Sequence, residues 1–145
     1  MIGLIQRVSH ANVVVEGQEI ASIDAGLLVL LGVEKEDDAV KAEKLVKRIL
    51  GYRVFEDDAG KMNLSLQDVA GELLIVPQFT LAANTQSGMR PSFSSAAPPE
   101  EGEHWFNFVL EKCRSLMGRV EQGKFGADMK VGLLNDGPVT FWLQV

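Results

Sequence analysis

The chain has 145 residues, 46% apolar and 23% charged, a length and balance that suit one domain, residues 1–145, with its own buried core. Its 14 basic and 20 acidic residues leave a net charge of −6, which excludes nucleic-acid binding driven by a broadly positive surface but leaves room for a small local RNA footprint. One cysteine, Cys113, rules out an intrachain disulfide and fits a reducing, cytoplasmic setting.

Residues Met1 to Val33 read as strands, with His10 closing the first. Asn12–Val15 and Ile20–Ile23 flank Glu16-Gly17-Gln18, a hairpin turn by composition. Polar residues interrupt the N-terminal apolar stretch and no small-residue cleavage site follows, so no secretory signal is expected. Gly26–Val33 (GLLVLLGV) is apolar on both faces, as in a strand buried within the fold, and falls far short of the roughly 20 residues of a membrane helix.

Asp37 and Asp38 open a helix by capping free amides. Ala39, Ala42, Leu45, Val46 and Ile49 recur at helical spacing and Gly51 closes it. Lys41, Lys44, Lys47 and Arg48 fall on or near the other face, either as a solvated surface or as a phosphate-contacting patch. Arg53–Glu56 reads as a short strand before a turn at Asp57-Asp58-Ala59-Gly60. Glu72–Leu81 reads as a further strand, marked at Pro77 by an edge, a bulge or its end, because proline has no N–H for the ladder.

Ala82–Pro99 is a long connection of the kind that carries function in compact domains. Pro98 and Pro99 lead into a second helix whose Glu100, Glu101 and Glu103 suit its positive end. Phe106, Val109, Leu110, Cys113, Leu116 and Met117 form its apolar stripe. Met129–Leu134 and Val139–Val145 read as strands joined by a turn at Asn135-Asp136-Gly137-Pro138. In the last of them Val139, Phe141, Leu143 and Val145 share one face, and Thr140, Trp142 and Gln144 the other. The fold class expected is α+β, with a mostly antiparallel, barrel-like β core and two main helices.

Metal chemistry finds no support: His10 and His104 lie far apart, and no Cys/His cluster or HExxH motif occurs. Neither GxxxxGK[ST] nor GxGxxG is present, and no cofactor is implied. Cys113 on an apolar stripe reads as an inert buried thiol, and nothing in the spacing of Ser, His and Asp argues for a triad. Two short segments stand out, Pro77–Ala83 (PQFTLAA) and Asn135–Thr140 (NDGPVT). Each has a plain structural reading, a strand end and a turn. The Gly137-Pro138 bond also raises the option of a cis peptide, found in about 5–6% of X–Pro bonds in folded proteins.

Taken together, MIGLIQRV, AGLLVLLGVEKEDD, LGYRVFEDDAGKMNLSL, QFTLAA, GMRPSF and ADMKVGLLNDGPVTFWLQV resemble the D-aminoacyl-tRNA deacylases of the bacterial and eukaryotic type, over essentially the whole chain. The resemblance implies a homodimer that hydrolyses the ester between a D-amino acid and the 3′ end of tRNA, with the active site at the subunit interface. It implies that Gln78, Phe79, Thr80 and Leu81 line a pocket, that a cis Gly137-Pro138 pair enters it from the other subunit, and that Arg7 positions that pair. The family commonly carries serine where this chain has Pro77, so a hydroxyl there is not essential here and backbone groups are favoured.

The chemistry expected of such a site is oxyanion stabilisation by the backbone N–H groups of Phe79 and Thr80. The Gly137 and Pro138 carbonyls would take the substrate ammonium, so that an L side chain meets the backbone while a D side chain points to solvent. Glycine, with no side chain, should pass, so glycyl-tRNA is an expected substrate. Lys41, Lys44, Lys47, Arg48, Arg90, Lys124 and Lys130 are candidate tRNA phosphate contacts. The competing readings are a dimeric β-sheet module that binds without catalysis, and a hydrolase with Thr80 as nucleophile.

Overall fold

The computed structural model describes residues 1–145. Strand β1 (Ile2–Val15) is the spine of the sheet. Strand β8 (Lys130–Gln144) runs antiparallel along one edge of it, from Ile2↔Gln144 to Val14↔Lys130. Its other edge takes two partners in succession, β3 (Gly26–Gly32) along residues 2–8 and β2 (Gln18–Ile23) along residues 11–15. Strands β6 (Glu72–Pro77) and β7 (Val120–Gln122) extend the sheet in parallel from β3. A small ladder, β4 (Phe55–Glu56) with β5 (Met62–Leu64), stands apart. Antiparallel pairings outnumber parallel ones, and the parallel ones follow the two helical crossovers.

The sheet curls on itself. Val8, Ala11, Val13, Ala21, Ile23, Leu28, Leu74 and Val76 pack into one buried cluster contributed by β1, β2, β3 and β6. Leu27, Val29, Leu31, Leu73 and Ile75 point the other way, into a second and larger cluster with Leu45, Ile49, Phe106, Val109 and Cys113 of the helices. This explains the unbroken apolar run of β3: alternate residues serve two cores, one inside the curl and one beneath the helices. Arg119 ties the curl together, donating to the Ser22 carbonyl of β2 at 2.8 Å and to Glu72 of β6 at 3.0 Å.

Helix α1 (Ala39–Gly51) starts as the sequence reading has it, with the Asp38 carboxylate accepting from the Lys41 N–H at 2.9 Å. Asp37 does something else. It is buried and accepts from the Met1 ammonium at 2.9 Å and the Glu34 N–H at 2.7 Å. Helix α2 (Pro99–Leu116) buries Phe106, Val109, Leu110 and Cys113. Leu116, expected on the stripe, is exposed because the helix ends there and the chain turns away at Met117.

Several boundaries differ from expectation. The first strand does not close at His10 but continues to Val15, because β8 pairs along its full length. The strand expected at Arg53–Glu56 is confined to Phe55–Glu56. The strand expected at Glu72–Leu81 stops at Pro77, and Phe79–Ala82 forms a 3-10 helix after the Gln78 N–H has donated to the Leu31 carbonyl. The segment Asn135–Pro138 is not a hairpin turn. It lies within β8, where Gln6↔Thr140 and His10↔Leu134 leave three residues of β1 facing five of β8. The surplus bulges outward. A bulge, not a turn, therefore presents Gly137 and Pro138. No helix of the structure is long and apolar enough to cross a membrane.

Candidate functional site

The residues singled out from sequence fall into two groups. Gln78, Phe79, Thr80 and Leu81 form the first, at the end of β6 and in the 3-10 helix. The Gln78 side-chain amide donates to the Thr80 hydroxyl. Leu81 N–H, the first intrahelical donor, bonds to the Gln78 carbonyl at 3.2 Å. The N–H groups of Phe79 and Thr80 precede that bond, and the first turn of a helix leaves such groups without an intrahelical acceptor. Phe79 is 61% exposed and stacks at a tilt on Phe93, ring centroids 5.2 Å apart.

Gln78 and Phe79 border a cavity of about 790 Å³. Its walls come from β3 and the residue just past it (Leu31, Val33), β6 (Val76, Pro77), the connection before α2 (Phe93, Ala96–Pro98), α2 itself (Pro99, Gly102, Phe106) and the segment from Phe125 to Val131. Most of this lining is apolar. The sequence reading did not anticipate Phe93, Phe125 and Met129 as wall residues, since they belong to separate segments that only the fold assembles. It took Phe106 as core alone, whereas Phe106 lies in the core and lines the cavity too. Thr80 and Leu81 do not line the cavity.

The second group is Arg7, Gly137 and Pro138. The Gly137-Pro138 peptide is cis. Gly137 has φ +140, and a Cβ there would lie 2.6 Å from Val139 Cγ2 and 3.2 Å from Arg7 Nη2. Only glycine fits both the backbone angle and the space. Arg7 Nε donates to the Asp136 carbonyl at 2.9 Å and Nη1 to the Val54 carbonyl at 2.7 Å. Asn135 braces the bulge from within, accepting from the Val139 N–H at 2.8 Å and donating to Thr140 Oγ1 at 2.8 Å. Gly137 and Pro138 themselves are exposed.

One chain does not bring the two groups together. Gln78 abuts Leu31, which pairs with Gly3 and through it with Leu143. Arg7 and the bulge lie four residues further along β1, roughly 13 Å at the usual strand rise, and on the far side of it. Neither Arg7, Gly137 nor Pro138 lines the cavity.

The other sequence candidates are dispersed. His10 and His104 are exposed, the latter edge-on to Trp105. Burial pushes the Cys113 thiol up to about 12, so it stays protonated and unreactive. Among the basic residues, Lys41 lies 3.5 Å from Asp37, and Arg48 stacks on Tyr52 while donating to the Gln144 carbonyl.

The model of the family described as D-Tyr-tRNA(Tyr) deacylase matches residues 4–144. A protein of Photobacterium profundum named D-aminoacyl-tRNA deacylase is 61% identical over 145 residues, covering both chains completely. One of the same name from Escherichia coli is 57% identical over the same span. Among solved structures, the c-Myc DNA unwinding element binding protein superposes with a TM-score of 0.96 at 42% identity, covering 100% of this chain and 99% of its own. A probable eukaryotic D-amino acid tRNA deacylase shares the fold, with a TM-score of 0.82 at 16% identity and coverage of 99% and 98%. With its QFTL segment beside a cavity and its Gly-Pro pair raised on a braced bulge, the chain belongs to the D-Tyr-tRNA(Tyr) deacylase family.

Proposed function

We propose that this protein hydrolyses the ester joining a D-amino acid to the 3′ end of tRNA, and that two copies of the chain build each site. The observation that carries the reading is the separation of two halves of one constellation: a cavity bordered by Gln78 and Phe79, and an exposed Gly137-Pro138 prominence that does not reach it in the same chain. A second copy supplies the missing half in each direction, as a two-fold interface does. The outer face of β8 suits such a partner, with Leu134 at 55% and Trp142 at 51% exposure.

In the assembled site the aminoacyl end enters the cavity beside Phe79. Water adds to the ester carbon, and the N–H groups of Phe79 and Thr80 hold the developing oxyanion. Collapse of the tetrahedral intermediate breaks the bond to the ribose oxygen, which takes up a proton relayed by the neighbouring ribose hydroxyl or a water. The Gly137 and Pro138 carbonyls of the other copy accept hydrogen bonds from the substrate ammonium. With the ammonium and ester carbon fixed, an L side chain collides with that backbone and a D side chain points outward. Glycine has nothing to collide. Thr80 as nucleophile is disfavoured, because the group on its hydroxyl is the Gln78 amide donor and not a base. The setting that follows is cytoplasmic, where charged tRNA resides.

The test is deacylation of D-tyrosyl-, L-tyrosyl- and glycyl-tRNA by the purified protein, with sedimentation in parallel. Cleavage of the D and glycyl esters by a dimer is expected, with the L ester spared. A binding module would retain the RNA and cleave none of them.

A further inference from the structure

The cavity beside Phe79 adjoins a second depression across one stretch of chain. The segment Phe125-Gly126-Ala127 forms part of its lining and also lines a second groove, bounded by Val14 to Gly17, Asp128, and Lys124 with Lys130. Both lysines are exposed, and neither has a carboxylate within ion-pair distance. Most other basic candidates are either held, as Lys41 is by Asp37, or lie outside both depressions. Gly126, at φ +75 with nothing within 4 Å of a built Cβ, leaves bare backbone at the junction of the two.

We infer that the single-stranded RNA leading to the aminoacylated 3′ end runs through this groove, with Lys124 and Lys130 on its phosphates. The inference rests on the deacylase reading and extends it from the reacting ester to the path of the chain behind it. The RNA behind an ester end seated in the cavity must run on over the neighbouring surface, and the groove that shares the Phe125–Ala127 wall lies next to it. Free ammonium groups beside an open backbone suit phosphates carried on a flexible strand. Glu16 and Asp128 also line the groove. Formal charge there is balanced, so the contribution is local, from two unpaired lysines, and not a broad positive field. That agrees with an overall net charge of −6.

The experiment compares two substrates, D-tyrosyl-tRNA and a D-tyrosyl ester of adenosine alone, which has no phosphates to place in the groove. For K124E/K130E the ratio of kcat/KM on tRNA to that on the adenosine ester should fall at least tenfold. The dependence of log kcat/KM on log salt should become shallower by about 1.4, the expectation for two single-strand phosphate contacts. D128N should move the ratio the opposite way, two- to threefold upward. Opposite signs from neighbouring positions are not produced by a merely structural role. An unchanged ratio in both variants, or an equal fall on both substrates, overturns the inference while leaving the deacylase reading intact. Failure of the unaltered protein to cleave either ester would sink the deacylase reading itself.

Discussion

Arg7 and Asp136 are 129 positions apart in the chain, yet the Arg7 guanidinium donates to the Asp136 carbonyl at 2.9 Å and, through its other arm, to the Val54 carbonyl at 2.7 Å. The fork spans the bulge on β8 and the chain just after α1. It holds the approach to Gly137-Pro138 from a side chain that is only 11% exposed. Replacing Arg7 by methionine leaves the part-buried Val54 carbonyl without its donor and the exposed Asp136 carbonyl to water, and should lower stability by about 1–2 kcal/mol. The D-over-L rate ratio should fall with it, since the prominence proposed to judge handedness is released. Arg7→Lys, which can reach one acceptor but not both, should fall between. Urea unfolding and paired D and L deacylation assays measure the two effects.

If each site takes Phe79 from one copy and Gly137-Pro138 from the other, complementary defects must rescue one another. Gly137→Val places a branched side chain where even a Cβ lies 2.6 Å from Val139 and should inactivate. A Phe79→Pro chain, lacking the amide, should be inactive too. Co-refolding equal amounts gives half heterodimers, each with one intact and one doubly defective site, so about a quarter of the unaltered activity should return. Mixtures that stay inactive would place the whole site within one chain.

Thr80 offers a cleaner separation of backbone from side chain. Its hydroxyl accepts from the Gln78 amide, while its N–H stands in the first turn of the 3-10 helix. Thr80→Ala keeps the N–H and should retain activity to within about tenfold. A hydroxyl nucleophile would cost several orders of magnitude. Pro77→Ser should likewise change kcat/KM little. Single-turnover rates distinguish these outcomes.

Glu34 makes stability depend on pH on the acid side. Burial raises its pKa, but the hydrogen bond and charge of the Met1 ammonium at 2.8 Å, with help from Gln144 and Lys41, outweigh it and hold the carboxyl below its ordinary value. A depressed carboxylate stabilises the fold above the unfolded-state pKa, and that contribution is lost as pH falls through the folded-state value. Glu34→Gln should therefore be less stable than the unaltered protein at pH 7, by about 1 kcal/mol given its partial exposure. The difference should close progressively below pH ~4. Denaturant melts across pH 3–7 trace it.

The sequence by itself determined both main helices and the long strands. The apolar spacing of Ala42, Leu45, Val46 and Ile49 and the cap at Asp38 made α1 legible. The alternation of Val139 to Val145 put Leu143 and Trp142 on opposite faces, and the fold buries the first and exposes the second. Local periodicity is written residue by residue, so it survives without knowledge of partners. The two motifs, QFTL and NDGP, were legible too, and with them the family.

What only the tertiary structure decided was the company each segment keeps. NDGP has turn composition, yet β1 pairs on both sides of it and converts the turn into a bulge within one long strand. PQFTL has strand composition, yet Pro77 has no N–H to extend the ladder and the chain coils into a 3-10 helix instead. The cavity beside Phe79 draws its walls from five separate stretches, and no local pattern encodes their meeting. Pairing and enclosure depend on contacts between residues distant in the chain, and those are settled by packing free energy over the whole fold rather than by the preference of any one segment.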